Sequence, residues 1–381
     1  MKQHKIGIVL LALMLAAMAI IPLVSAAGTY SEEKVNLVKS NYIQSEIAYM
    51  NAMKTMQDFI ASRSLDAKWN GATLKSEPQV IYDLDGAILT YRFTAEKDGE
   101  IIGIVDAASS KTAGGPVLSV GAPPMVIDEK QVLSELDDIV NKEYPGYTIG
   151  TKTIVCYNYP RTGMLVILSN PDNRDIKRII IDVNDYSVIP EKKSAMEGDL
   201  SAGSYYDDMS VEQMKQNIQN WDNPSMNRMA PMYAPQKLLS VTRYEQASEN
   251  WCAVTVAQMI SQYYGYSRTQ QAIANIMGNG GGGGSNPAME LTYYHASTGS
   301  GGLGKTNSID DYSPFTTWTA AADEIDSYRP LKVGNLGHAR TISGYKINSG
   351  SNYLYVNDPG VGWGSYWILY SSPFNNYVYV R

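Results

Sequence analysis

Gln246-Ala-Ser-Glu-Asn-Trp-Cys252-Ala-Val sets one cysteine six residues after a glutamine, where an apolar helical pattern begins. The spacing predicts a helix over Cys252 to Tyr264: Val256, Met259, Ile260 and Tyr263 share a face, and Gly265 follows as a stop. A thiol at that position faces the first peptide N–H groups of the helix, whose positive dipole end favours thiolate over thiol. Gln246, one short loop away, can turn its side-chain amide toward an oxygen that gains negative charge during acyl transfer. Such a nucleophile needs a base, and the base needs a group that fixes its tautomer. The chain has three histidines, His4, His295 and His338.

His338 opens a strand pattern in Leu336-Gly-His-Ala-Arg-Thr-Ile-Ser-Gly-Tyr345. Lys346-Ile-Asn-Ser-Gly-Ser reads as a turn, and Tyr353-Leu-Tyr-Val-Asn-Asp358 as the returning strand. In a hairpin centred near Asn348, positions 338 and 358 face one another, which lets Asp358 reach the His338 ring. Pro359-Gly360 ends that strand and leaves the aspartate at an element end. His295 closes a tyrosine-rich segment beside a Gly-rich loop and has no comparable partner.

Working outward, residues 236–381 read as helices followed by an antiparallel sheet, an α+β order. Helices are expected over Thr269–Met277 and Thr316–Ser327, and strands over Leu331–Asn335, Ala339–Ile347, Tyr353–Asn357, Tyr366–Tyr370 and Tyr377–Val380. Gly278–Gly284 and Ser297–Gly304 are Gly-rich loops. The first has neither a preceding strand nor a following GK[ST], which argues against a phosphate cradle. Residues 27–190 read as helix plus antiparallel meander, apparently twice, as a pseudo-repeat over 31–107 and 128–189. One helix is expected over 31–62, another over Asp128–Lys142. Asp85-Gly86 and Asp98-Gly99 are hairpin turn signatures. Residues 191–235, polar and rich in Met, Asn and Pro with a short Ser210-capped helix, read as a linker holding a processing site. This half contains no histidine.

Met1–Ala26 reads as a signal peptide, with Lys2 and Lys5 ahead of an apolar run and Val24-Ser-Ala26 as cleavage site. A secreted location follows, with membrane contact only through that segment. The net charge is −7, and residues 236–381 carry nine basic and nine acidic side chains, so the acidic surplus precedes them. There is no basic patch, and nucleic acid is not expected as a partner. With two cysteines, Cys156 and Cys252, and so few histidines, neither a metal nor any other cofactor is expected. Cys156 reads as a buried strand residue, or as one half of a bridge to Cys252.

Three stretches together resemble the papain-like cysteine peptidases, closest to the compact bacterial and archaeal C39-like group, effector-type proteases included. They are Gln246-x5-Cys252-Ala with Trp251, Arg329-Pro-Leu…Gly337-His338…Gly344-Tyr345, and Val356-Asn-Asp358-Pro-Gly. The resemblance covers residues 236–381 and lacks the Cys-Gly-Ser-Cys-Trp run of papain itself. It implies a papain-like catalytic domain with Cys252 as nucleophile on an N-terminal helix and His338 as base and acid on the sheet. Asp358 would be the orienting residue, with the adjacent Asn357 as the alternative because papain uses asparagine in that role, and Gln246 an oxyanion donor together with the Cys252 N–H. The preceding α+β region is similar to prosegments of secreted cysteine peptidases such as streptopain. The expectation is a secreted cysteine endopeptidase made as a zymogen, with a protein or peptide substrate and its own prosegment as intramolecular inhibitor. A cell-wall peptide amidase with the same triad and a non-catalytic surface-binding module on a peptidase fold are the alternatives. A transglutaminase would also use Cys, His and Asp, but the short distance from Gln246 to Cys252 favours hydrolysis.

Overall fold

The computed structural model of the chain describes residues 31–121, 127–191, 201–207, 209–223, 233–311, 317–335, 337–370, 374 and 376–381. The expected signal peptide, and with it Val24-Ser-Ala26, lies outside the described residues, as does much of the expected processing run (192–200, 208 and 224–232). Among the described residues no helix is long and apolar enough to cross a membrane.

The N-terminal helix expected over 31–62 is two helices, α1 (Glu32–Ser40) and α2 (Ser45–Ala61). Tertiary pairing interrupts the periodic pattern. The Ile43 N–H donates to Ser109 O at 2.7 Å and Tyr42 forms a bridge with Ser110, so the backbone between the helices bonds a strand end instead of itself. Strands β1 (Thr73–Leu74), β2 (Gln79–Asp83), β3 (Ile88–Lys97), β4 (Glu100–Ala108) and β5 (Val117–Gly121) follow. Asp98 and Gly99, both at positive φ, make the tight β3–β4 turn that the sequence predicts. Helix α3 (Glu129–Glu143), N-capped by Asp128, then leads into β6 (Thr148–Asn158), β7 (Arg161–Ser169) and β8 (Ile176–Asp182). The two helix-and-meander units join through a short parallel pairing of β2 with β6, Tyr82↔Val155 and Asp83↔Cys156.

Much of the expected linker folds back on this half. The Asp83 carboxylate accepts from Ser204 Oγ at 2.6 Å and from the Tyr205 N–H at 3.1 Å. Helix α4 (Val211–Asp222), capped by Ser210, packs beside residues 111–113, and Asn217 donates to Thr112 O.

The C-terminal region contributes β9 (Gln236–Leu238), α5 (Cys252–Tyr263), α6 (Gln270–Met277), α7 (Pro287–His295), β10 (Ile309–Asp311) and α8 (Trp318–Asp326). Strands β11 (Leu331–Asn335), β12 (His338–Asn348), β13 (Ser351–Asn357), β14 (Ser365–Leu369) and β15 (Asn376–Tyr379) complete it. Helix α7 stands where only a tyrosine-rich segment is expected from sequence. Asn286 caps it and Pro287 occupies its first turn, where a missing N–H costs nothing. Helix α5 lies on β12, with Cys252, Val256, Ala257 and Ile260 buried against Ala339, Val378 and Val380.

Both halves share one sheet, in the order β10-β15-β11-β12-β13-β14-β5-β4-β3-β2-β6-β7-β8. The seam is the antiparallel pair β14–β5, with Tyr366↔Gly121, Trp367↔Val120 and Ile368↔Ser119. Gly121 suits that approach, because a Cβ there would meet the Tyr366 Cα at 2.7 Å. Helix α2 covers the seam. Phe59, fully buried, lies edge-on to Tyr353 (5.2 Å) and Trp367 (5.9 Å), and Trp367 Nε1 donates to Ser64 O at 2.8 Å. Phe59→Ala should therefore lower the unfolding free energy by about 3–5 kcal/mol, as a buried Phe truncation does. A urea melt reads this as a lower midpoint; a loss below about 1 kcal/mol would mean that the seam relaxes around the cavity.

Candidate active site

Cys252 is the first residue of α5, after Trp251 at the N-cap. Its side chain is buried, and Sγ lies 3.4 Å from the Ala339 N–H and 4.0 Å from Gly337 O. The thiol is thus held by the two residues flanking His338. Neither Cys252 nor Cys156 forms a disulfide, so the alternative of a bridge between them is not realised. Cys156 is buried in β6, and burial together with nearby Asp83 pushes its thiol well above the ordinary value.

His338 begins β12, with Nε2 2.8 Å from Asp358 Oδ1. The route to that contact differs from the expected one. The hairpin turns at Ser349-Gly350, both at positive φ, and a bulge between Ile342 and Gly344 shifts the ladder. Pairing ends at Thr341↔Asn357, so Asp358 lies past the ladder and His338 reaches it diagonally. Asn357, the alternative third residue, donates to Ser343 Oγ and accepts from Ser365 Oγ. His295 ends α7 with Nε2 2.8 Å from Ser308 O, and none of its bonds reaches Cys252.

Four donors surround the buried Asp358 carboxylate. Oδ1 also accepts from the Gly360 N–H (2.9 Å), and Oδ2 accepts from Arg340 Nε (2.9 Å) and Tyr366 Oη (3.1 Å). Burial alone would raise its pKa, but His338, Arg340 and Arg161 outweigh that and hold it well below the usual carboxylate range. His338 is pushed the other way, down to about 3, by burial first and by the Arg161 and Arg340 guanidiniums, against the pull of Asp358. Its imidazole is neutral at neutral pH.

Gln246 lies across from this loop, its N–H donating to Pro359 O at 2.8 Å. Its side-chain Nε2 donates to Ser248 O (3.0 Å) and Glu249 O (2.7 Å), which leaves the amide turned into its own loop. Arg243 braces the same junction through Asp358 O and Gly360 O, both at 2.7 Å.

Two further residues belong to the site. Arg161, at the start of β7 in the N-terminal half, brings Nη2 within 3.4 Å of His338 Nε2. Its guanidinium carbon sits 5.2 Å from the centre of the Trp363 ring. No sequence pattern points to Arg161, whose partner lies 177 residues away. Among the described residues no cluster of His, Cys, Asp and Glu could hold a metal ion.

Residues 238–380 match the model of the Peptidase_C39 like family. By that match the C-terminal region is similar to the C39-like peptidases. A solved structure, digestive procathepsin L 3 of the Tenebrio molitor larval midgut, aligns with 15% identity and a TM-score of 0.31 over 47% of this chain and 82% of that one. That likeness is too loose to argue from. No curated protein matches the chain.

The neutral His338 makes the fold acid-sensitive. Its folded pKa lies below its unfolded value near 6.5, so unfolding takes up a proton at any pH between the two. The stability it contributes is complete above pH 6.5 and is lost as pH falls toward 3. Asp358 adds a loss only below about pH 4. Asp85, raised to about 6 mainly by burial, acts in the opposite sense but equally in any His338 variant. Between pH 7 and pH 5, His338→Gln should lose less stability than the wild type by roughly 2 kcal/mol in urea titrations. Equal losses would show that the buried imidazole is not neutral.

Proposed function

We propose that residues 236–381 act as a secreted cysteine endopeptidase made as a zymogen, with residues 27–190 as its prosegment. The observation that supports this reading is Cys252 Sγ at the start of α5 lying 3.4 Å from the Ala339 N–H, next to His338, whose Nε2 is 2.8 Å from Asp358 Oδ1. With Nε2 so engaged, Nδ1 is the ring nitrogen left to serve the thiol. The thiol gives its proton to His338, and Sγ attacks the scissile carbonyl carbon to form a tetrahedral adduct. The oxyanion takes the Cys252 N–H and, once its amide turns out of its own loop, Gln246 Nε2. Collapse breaks the C–N bond, and His338 gives the proton to the departing amine. Water, deprotonated by His338, then attacks the thioester carbon, and the returning proton restores the thiol. Asp358 keeps the ring oriented throughout.

The prosegment role draws support from the shared sheet: the β14–β5 seam and the α2 cover attach residues 31–121 directly to the catalytic half. Cleavage in 191–235 would have to be followed by parting of that seam.

Mass spectrometry of the secreted wild type beside Cys252→Ala tests the reading. The wild type should appear cut within 191–235 and should hydrolyse a fluorogenic casein, whereas Cys252→Ala should remain intact and inactive. Asp358→Asn should keep part of the activity and Gln246→Ala should lower kcat by about 10² to 10³. Casein turnover in Cys252→Ala equal to wild type would end the proposal, and release of peptides from wall material with casein untouched would replace endopeptidase by amidase.

A further inference from the structure

Among the described residues, Arg161 is the one cation that the N-terminal half places against His338. It is 6% exposed, and its Nε is buried with no hydrogen-bond partner. The guanidinium presses on the loop after Asp358: a Cβ on Gly360 would fall 2.5 Å from Nη2. Gly360 in turn donates to Asp358 Oδ1, and Trp363 closes the far side of the guanidinium. A buried charge with an unmet donor is a poor way to stabilise an interface, since the lost hydration is only partly replaced. Its contact with His338 is also an awkward one. If Nε2 carries the proton donated to Asp358, it has no lone pair to offer Arg161 at 3.4 Å.

Resting on the reading of Cys252 as nucleophile, we propose that Arg161 is an intramolecular latch. Its guanidinium fills the space between His338, Gly360 and Trp363 while the N-terminal half is docked, and keeps the Cys252–His338 pair uncharged. Two effects combine. The guanidinium excludes water and substrate from the histidine's Asp358-facing edge, and its charge opposes an imidazolium a few ångströms away. Burial and Arg161 both push His338 down, consistent with this second effect. The Cys252 Sγ in this docked state accordingly sits where a thiol can donate to Gly337 O. The latch is aimed by the sheet. β7 carries Arg161 at its first residue, and β14, which pairs with β5 at the seam, carries Tyr366 onto Asp358. Parting the two halves removes the guanidinium from the site.

The test is the iodoacetamide alkylation rate of each cysteine in the full-length, uncut chain, mapped by mass spectrometry. Arg161→Met keeps the length of the stem and removes the charge; it should speed Cys252 labelling at least 10-fold over wild type, while Cys156 stays slow. Arg161→Lys, which keeps a charge but not the flat fork that lies on Trp363, should give an intermediate rate. Cys156 serves as the control for general loosening, because it is buried in β6 of the same half. Cys252 labelling unchanged in both variants overturns the latch, and so does labelling of both cysteines accelerating together. Should Arg161→Met not fold, Arg161→Lys alone decides between the same outcomes. Hydrolysis is not the readout, so the two readings fail separately. Selective acceleration at Cys252 without hydrolysis after processing would keep the latch and remove the peptidase. An unchanged rate in an enzyme that cleaves casein through Cys252 would do the reverse.

Discussion

The Asp358 carboxylate, fully withdrawn from water, is the constraint on which the site depends. An ionised carboxylate in such a place survives only where donors replace its hydration. Here they come from four places in the chain: the imidazole at the start of β12, Arg340 two residues on, the Gly360 N–H after the strand, and Tyr366 from β14. Satisfying one charge therefore fixes the histidine's ring, the end of β13 and the neighbouring strand together. The carboxylate is what lets a fully buried cation, Arg340, stand in β12. Its Nη1 continues to Asn335 Oδ1 at 2.5 Å, tying the carboxylate back to β11.

The seam between halves follows the same economy of backbone groups. Without β5, β14 would be an exposed edge of the C-terminal strands, with unpaired N–H and C=O groups. β5 covers it, and α2 places Phe59 over the junction. The pairing is backed by apolar packing: Phe59, Val117 and Val120 belong to one buried cluster with Tyr353, Leu354 and Trp367, so strand ladder and core hold the halves together.

Legibility in sequence tracked the separation of partners. Cys252 at a helix start and the His338–Asp358 spacing were readable because each depends on a few consecutive residues or one hairpin. The turn came one or two residues later than the spacing implies, and the bulge at Ile342/Gly344 moved the register; the contact survives because a histidine reaches diagonally across a strand pair. Helix α7 was marked by Asn286-Pro287 but obscured by tyrosines that suit strands equally well. Strand β5 is five residues between Gly115-Pro116 and Ala122-Pro123, too short for a periodic pattern, yet it makes the seam. Nothing local marks Arg161, whose contact with His338 joins residues 177 positions apart.

The charges around His338 sharpen what such a contact can do. Arg340 and Asp358 pair within the catalytic half, and Arg161 has the Asp182 carboxylate and Tyr157 as neighbours in its own half. In the proposed release, Arg161 and Asp182 would leave together, and the formal charge left behind would be unchanged. Distance and water would change instead: with the guanidinium gone from Nε2 and the imidazole edge hydrated, a thiolate–imidazolium pair would form as a neutral dipole at the positive end of α5. Restraint exerted in this way rests on local placement of one cation. It leaves in place the His338–Asp358 contact and the Cys252 Sγ beside the residues that flank His338.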